Sequence, residues 1–218
     1  MTNKTLDLSV YFIVGPQNFS ECSLDGATQK IALIIKSGVT VYQFRDKGTI
    51  YKEQKQRLSI AQKLQKVSEE AGVSFIVNDD VELARELNAD GIHIGQTDES
   101  VSKVREKVGQ EMWLGLSVTK ADELKTAQSS GADYLGIGPI YPTNSKNDAA
   151  KPIGIKDLRL MLLENQLPIV GIGGITQDSL TELSAIGLDG LAVISLLTEA
   201  ENPKKVAQMI RQKITKNG

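Results

Sequence analysis

Three stretches of this chain are near copies of one another: Asn88-Ala89-Asp90-Gly91-Ile92, Gly131-Ala132-Asp133-Tyr134-Leu135 and Gly187-Leu188-Asp189-Gly190-Leu191. Each lies where a run of helical periodicity ends and a short apolar run rich in β-formers begins. Ser37-Gly38-Val39 and Ala71-Gly72-Val73 are looser versions of the same joint. A joint that recurs between helix and strand means repeated βα units. Strands are read over residues 8–14, 39–44, 75–77, 92–94, 113–117, 134–137, 168–172 and 191–194. Helices fall between them over 27–37, 51–71, 81–87, 101–108, 121–130, 155–165 and 179–186, and Pro203 opens a last one, as proline in a first turn does. Eight strands alternating with eight helices in 218 residues predict an α/β protein, a single (β/α)8 TIM barrel over residues 1–218. An open doubly wound sheet is the alternative architecture.

A barrel of this kind does its chemistry on the loops that leave the C-terminal ends of its strands. The residues after the strands should therefore be unusual and those before them plain. The joints leading into strands carry only Gly, Ala, Asn and Asp turn residues. The exits are different. Strand two leaves through Gln43, Arg45 and Lys47, strand three through Asn78 and Asp79, and strand four through Gln96 and Asp98. Strand five leaves through Ser117 and Thr119, strand six through Thr143, Ser145 and Lys146, strand seven through Gly173-Gly174, and strand eight through Ile194-Ser195.

Consecutive parallel strands joined by a helix put both exits on one edge of the sheet, so Asp79 and Asp98 should converge. Two carboxylates there suit a Mg²⁺ ion whose other ligands are water and phosphate oxygens. The plainer reading makes them N-cap and first-turn acids of the helices that follow. Arg45, Lys47 and Lys146 add cations on that side, which together with Mg²⁺ suits a diphosphate. The Gly-rich exit of strand seven and Ser195 suit a phosphate monoester held on backbone N–H groups. The long stretch 138–154 has the length of a binding loop, from which Thr143, Ser145 and Lys146 would reach the ligands. His93 is the sole histidine and faces the interior or mouth; it reads as well as a hydrogen-bonded structural residue and is not placed among the site candidates. Trp113 reads as core.

Composition narrows the partners. A formal net charge of −2 with dispersed basic residues gives no reason to expect nucleic acid, and no apolar stretch is long enough for a membrane span. Cys22 is the one cysteine, so no intrachain disulfide or cysteine-cluster metal site forms. A cytoplasmic location is expected. Small-molecule substrates are the expected partners, and the oligomeric state, a homo-oligomer included, stays open.

The sets Gln43-Phe44-Arg45-Asp46-Lys47-Gly48, Asn78-Asp79-Asp80, His93-Ile94-Gly95-Gln96-Thr97-Asp98, Gly138-Pro139-Ile140-Tyr141-Pro142-Thr143 and Gly171-Ile172-Gly173-Gly174-Ile175 resemble the thiamine phosphate synthase family, in order and over nearly the whole chain. That resemblance implies a TIM barrel that joins hydroxymethylpyrimidine diphosphate to thiazole phosphate with Mg²⁺, releasing pyrophosphate. It implies that Gln43, Arg45 and Lys47 contact the pyrimidine diphosphate, with Asn78 beside its phosphates and Ser117 and Lys146 also reaching it. It implies Asp79 and Asp98 as the Mg²⁺ ligands. Thr143, Ser145, Gly174, Ile194 and Ser195 would hold the thiazole phosphate. Arg45, Lys47 and Lys146 would act catalytically by stabilising charge on the leaving pyrophosphate.

The departures fall at three places. Ser117-Val118-Thr119-Lys120 lacks the histidine usual after strand five, Ser145 stands where threonine is usual, and Phe44 replaces a leucine. The missing histidine disfavours the related thiazole tautomerase-like isomerase, which would act on the thiazole alone. A catalytically silent phosphate-ligand binding barrel is the reading from another class. No protein nucleophile is evident, which suits dissociative substitution at the pyrimidine CH₂.

Overall fold

The computed structural model of the chain describes residues 5–47, 50–51, 53–145 and 150–215. Parallel strands β1 (Val10–Val14), β2 (Val41–Phe44), β3 (Ser74–Asn78), β4 (Gly91–Ile94), β5 (Trp113–Val118), β6 (Tyr134–Ile137), β7 (Ile169–Ile172) and β8 (Gly190–Val193) pair in chain order. Strand β8 closes back onto β1, with Tyr11 opposite Ala192. The closed ring rules out the open doubly wound sheet. Around it run α1 (Leu24–Ile35), α2 (Gln54–Glu70), α3 (Val81–Glu86), α4 (Val101–Val108), α5 (Ala121–Ala127), α6 (Gly154–Leu163), α7 (Leu180–Ser184), a short α8 (Ser195–Thr198) and α9 (Pro203–Thr215). Among the described residues, no helix is long and apolar enough to cross a membrane.

Strand alternation separates two cores. Val10, Phe12 and Val14 of β1 face outward into the layer shared with the helices, where Ile31, Ile35 and Leu64 meet them. Tyr11 and Ile13 face inward and join Val41, Ile76, Tyr134, Val170 and Ala192. Both faces of each strand are buried, as expected for a parallel sheet wrapped by helices. Helix α1 begins at Leu24, three residues before the expected Ala27, because Ser23 caps it by accepting the Gly26 N–H at 3.2 Å.

The repeated joint has a physical cause. Asn88, Gly131 and Gly187 adopt the left-handed conformation, at φ 46°, 92° and 82°, and turn the chain out of its helix. The aspartate two residues later then reaches sideways to the strand before it. Asp90 accepts the Phe75 N–H at 2.8 Å, Asp133 the Leu114 N–H at 2.7 Å, and Asp189 the Ile169 N–H at 2.7 Å. Each of these strands is thus pinned at its N-terminal end by the aspartate that precedes the next one. Charge at that end is structural, and the opposite rim is left for the site.

Candidate active site at the barrel mouth

A cavity of about 410 Å³ opens at the C-terminal ends of the strands. On one flank it is lined by Arg45, Lys47, Asn78, Asp79 and Asp98, and on the other by Gly173, Gly174, Ile194 and Ser195. Ser117, Thr143 and Ser145 also line it. Residues scattered from position 45 to position 195 therefore share one chamber, and Asp79, Asp98 and Gly174 face the same end of the molecule.

The acidic flank is assembled by β3 and β4. Asp79 follows the last residue of β3 in a left-handed conformation, φ 62°, and its N–H donates to the His93 carbonyl of β4 at 2.9 Å. Its carboxylate meets the Lys47 ammonium at 2.5 Å. Burial pushes the Asp79 carboxyl above its ordinary range; the nearby Asp98 carboxylate adds to that rise, and Lys47 offsets it in part. Asp98 is held by accepting the Gly95 N–H at 2.7 Å.

The capping alternative fails on geometry. The cap of α3 is the next residue, Asp80, which accepts the Leu83 N–H at 2.9 Å and pairs with Arg57 at 2.7 Å. Arg57 also pairs with Asp46 at 2.5 Å, so one guanidinium from α2 braces the exits of β2 and β3. The N-cap position of α4 is Ser100, two residues past Asp98, and Asp98 accepts the Gly95 N–H and lines the mouth instead. Arg45 is no solvated surface cation: it is 8% exposed and lines the cavity.

The glycine flank depends on close approach. Gly173 and Gly174 have φ of 96° and 65°. A Cβ at Gly174 would stand 2.5 Å from the Pro142 carbonyl oxygen and 2.7 Å from the Tyr141 Cβ. The β6 loop rests directly on this turn, with the Tyr141 N–H donating to the Gly173 carbonyl at 3.1 Å. That loop carries Thr143, which accepts the Ser145 N–H at 3.2 Å, and the Ser145 and Ser195 hydroxyls are 3.5 Å apart. Helix α8, which periodicity did not signal because it is one turn long, starts at Ser195 and sets the end of this wall.

Gln43 stands apart from the other candidates. It is buried behind the chamber, and its amide donates to the Tyr11 hydroxyl at 2.9 Å. Lys146 lies outside the described residues. Several further residues line the chamber without having been singled out, among them Gly136, Ala192 and Val193.

A family model described as thiamine monophosphate synthase matches residues 10–197. The chain belongs to the thiamine monophosphate synthase family. It is 99% identical over 218 residues to a thiamine-phosphate synthase of Lactococcus lactis subsp. cremoris, covering 100% of both chains. It is 41% identical to a thiamine-phosphate synthase of Bacillus velezensis, covering 96% of this chain and 92% of that one. Its fold is similar to a solved thiamine phosphate pyrophosphorylase of Pyrococcus furiosus, with a TM-score of 0.81, 28% identity, and coverage of 97% and 98%. Within the thiamine monophosphate synthase family, the departure after β5 is accommodated locally. Thr119, at the position of the usual histidine, donates both its hydroxyl and its N–H to Glu123, at 2.9 and 2.7 Å.

Proposed function

We propose that the barrel mouth joins hydroxymethylpyrimidine diphosphate to thiazole phosphate, forming thiamine phosphate and releasing pyrophosphate. The observation that carries this reading is the two-sided chamber: cations and paired acids on one flank, and a glycine turn with Ser195 on the other. A diphosphate fits the first flank and a phosphate monoester the second. The remaining space is that of a small-molecule site.

Mg²⁺ fits the acidic flank. Asp79 carries a desolvated carboxyl raised by burial and by Asp98, a combination that a cation relieves. Two carboxylates at the mouth suit an ion that keeps water and phosphate oxygens as its other ligands. Asp79 and Asp98 would hold it, and when bound it would supply positive charge to the diphosphate oxygens.

Arg45 and Lys47 bind the diphosphate and orient it, with Asn78 beside them. As the CH₂–O bond breaks, the electron pair leaves with pyrophosphate, and these fixed cations stabilise the charge that accumulates there. The electron-rich aminopyrimidine supports the developing carbocation. The thiazole nitrogen, anchored through its phosphate by Gly174, Ile194 and Ser195 with Thr143 and Ser145 above, supplies the pair that forms the new C–N bond. Ser117 serves the pyrimidine ring, Gln43 stands behind it on the Tyr11 hydroxyl, and the family resemblance assigns Lys146 to the leaving group. No protein nucleophile takes part. A cytoplasmic location suits this chemistry and the single cysteine.

Pyrophosphate release tests the proposal. It is expected only when both substrates and Mg²⁺ are present. Release with the pyrimidine substrate alone at the same rate, or binding of thiazole phosphate with no release at all, would overturn it.

A further inference from the structure

A line of buried hydrogen bonds crosses the barrel beneath the chamber. The Gln43 amide nitrogen donates to the Tyr11 hydroxyl at 2.9 Å. The Tyr11 and Tyr134 hydroxyls are 2.8 Å apart, Tyr134 is 3.2 Å from His93 Nδ1, and His93 Nε2 is 3.0 Å from Ser117 Oγ. Gln43, Tyr11 and Tyr134 are each 1% exposed. The barrel makes room for this line with two inward glycines. A Cβ at Gly115 would run into the His93 and Tyr134 rings, and one at Gly136 would stand 3.0 Å from His93 Cε1. Ser117 is the end of the line that lines the chamber.

The line has a direction. An amide nitrogen only donates, so the Tyr11 oxygen accepts a hydrogen bond from Gln43, and the Tyr11 hydrogen is satisfied by donating to the Tyr134 oxygen beside it. Burial holds both phenols well above their ordinary range, so each stays an O–H with one proton to pass on. Tyr134 then donates to His93 Nδ1. A nitrogen that accepts carries no proton, so the ring is neutral with its hydrogen on Nε2. That hydrogen goes to Ser117 Oγ, and the Ser117 proton is left to point into the chamber.

We propose that Gln43, Tyr11, Tyr134 and His93 form a directional relay that fixes the His93 tautomer and makes Ser117 a hydrogen-bond donor toward the bound pyrimidine. His93 is then a positioning residue. The ligand atom that meets Ser117 is an acceptor, a ring nitrogen rather than an amino group. Reversing the line would require Gln43 to turn its carbonyl oxygen toward Tyr11, so the presentation of Ser117 and the orientation of the Gln43 amide are set together. The assignment of the ring to the pyrimidine rests on the function proposed above; the tautomer does not.

Because His93 is the one histidine in the chain, ¹⁵N-histidine labelling reports it without assignment. The expected spectrum of the ligand-free protein at neutral pH is the Nε2–H tautomer. An Nδ1–H or doubly protonated ring overturns the proposal. In Tyr134→Phe the tautomer is expected to lose its Nε2–H preference, with KM for the pyrimidine diphosphate raised about tenfold, the worth of one oriented hydrogen bond, and KM for the thiazole phosphate unchanged. An unchanged tautomer, or a changed one with unchanged pyrimidine KM, also overturns it. If Tyr134→Phe does not fold, Tyr11→Phe takes its place with the same expected outcomes. His93→Gln, whose amide nitrogen can replace Nε2, is expected to keep a lower pyrimidine KM than His93→Ala, and equal values count against the relay. If wild-type protein releases no pyrophosphate, the functional reading fails while the tautomer measurement still decides the relay.

Discussion

Replacing Gly174 by alanine separates backbone strain from loss of the chamber. The left-handed conformation at φ 65° costs a residue with a Cβ about 1–2 kcal/mol. The added carbon also meets the Pro142 carbonyl oxygen at 2.5 Å and the Tyr141 Cβ at 2.7 Å. Backbone cannot swing aside as a side-chain tip can, so the β6 loop must shift, taking Thr143 and Ser145 with it. Overpacking of this kind costs about 1–3 kcal/mol, which in binding is about 5- to 150-fold. KM for the thiazole phosphate should therefore rise by about that factor, while KM for the pyrimidine diphosphate changes little. Gly187→Ala is the internal control. Its φ of 82° carries the same backbone cost, yet nothing lies within 4 Å of the added Cβ, and it sits at the far end of the barrel. It should lose about 1–2 kcal/mol of stability with both KM values intact. Steady-state kinetics with each substrate varied in turn, together with urea unfolding of both variants, gives the comparison. Equal thiazole KM values for the two variants would refute the assignment of this turn to the monoester site.

Asp98→Ala should lower Mg²⁺-dependent pyrophosphate release by at least about 10²-fold, typical for loss of a key electrostatic group, and unchanged turnover would remove Asp98 from the mechanism. Asp133→Ala should cost about 2–4 kcal/mol in urea unfolding, because it strands the Leu114 N–H and removes the carboxylate paired with Arg105, with kcat/KM within about twofold of wild type. Asp133→Asn, which keeps an acceptor, should recover part of that loss. The raised Asp79 carboxyl has a pH signature. Its neutral form is favoured in the folded state, so its contribution to metal-free stability is full below the ordinary value of 3.8 and is lost as pH rises through the elevated folded value. Conversely, Mg²⁺ must displace a proton there on the acid side. Thermal stabilisation by Mg²⁺ should therefore fade at a higher pH than an ordinary aspartate would give, and that dependence should disappear in Asp79→Asn.

The barrel and the ring of exits were legible because both follow from alternation of βα units, which the three Asp joints advertise. Asp79 and Asp98 could be brought together on topology alone, since adjacent parallel strands leave by one edge. The structural role of Asp80 carried no such signal; it depends on Arg57, 23 residues earlier in the chain, which pairs with it. Gln43 illustrates the opposite limit. Its alternation with Arg45 at the end of β2 suggested an inward ligand contact, but its first partner is Tyr11, 32 residues away and visible only once β1 and β2 are in register. Tyr11 and Tyr134 gave no signal because a buried tyrosine in a strand looks like any other β-former. Their hydroxyls meet only across the closed barrel, 123 positions apart.

The aspartate joints at the lower rim have a consequence for how such a chain can change. Each fastening ties a strand to its immediate successor and involves no atom of the chamber. A chain built this way can exchange the letters of its upper loops, as at Thr119, without loosening what keeps neighbouring units in step. New specificity can arise at one end while the other goes on holding the staves together.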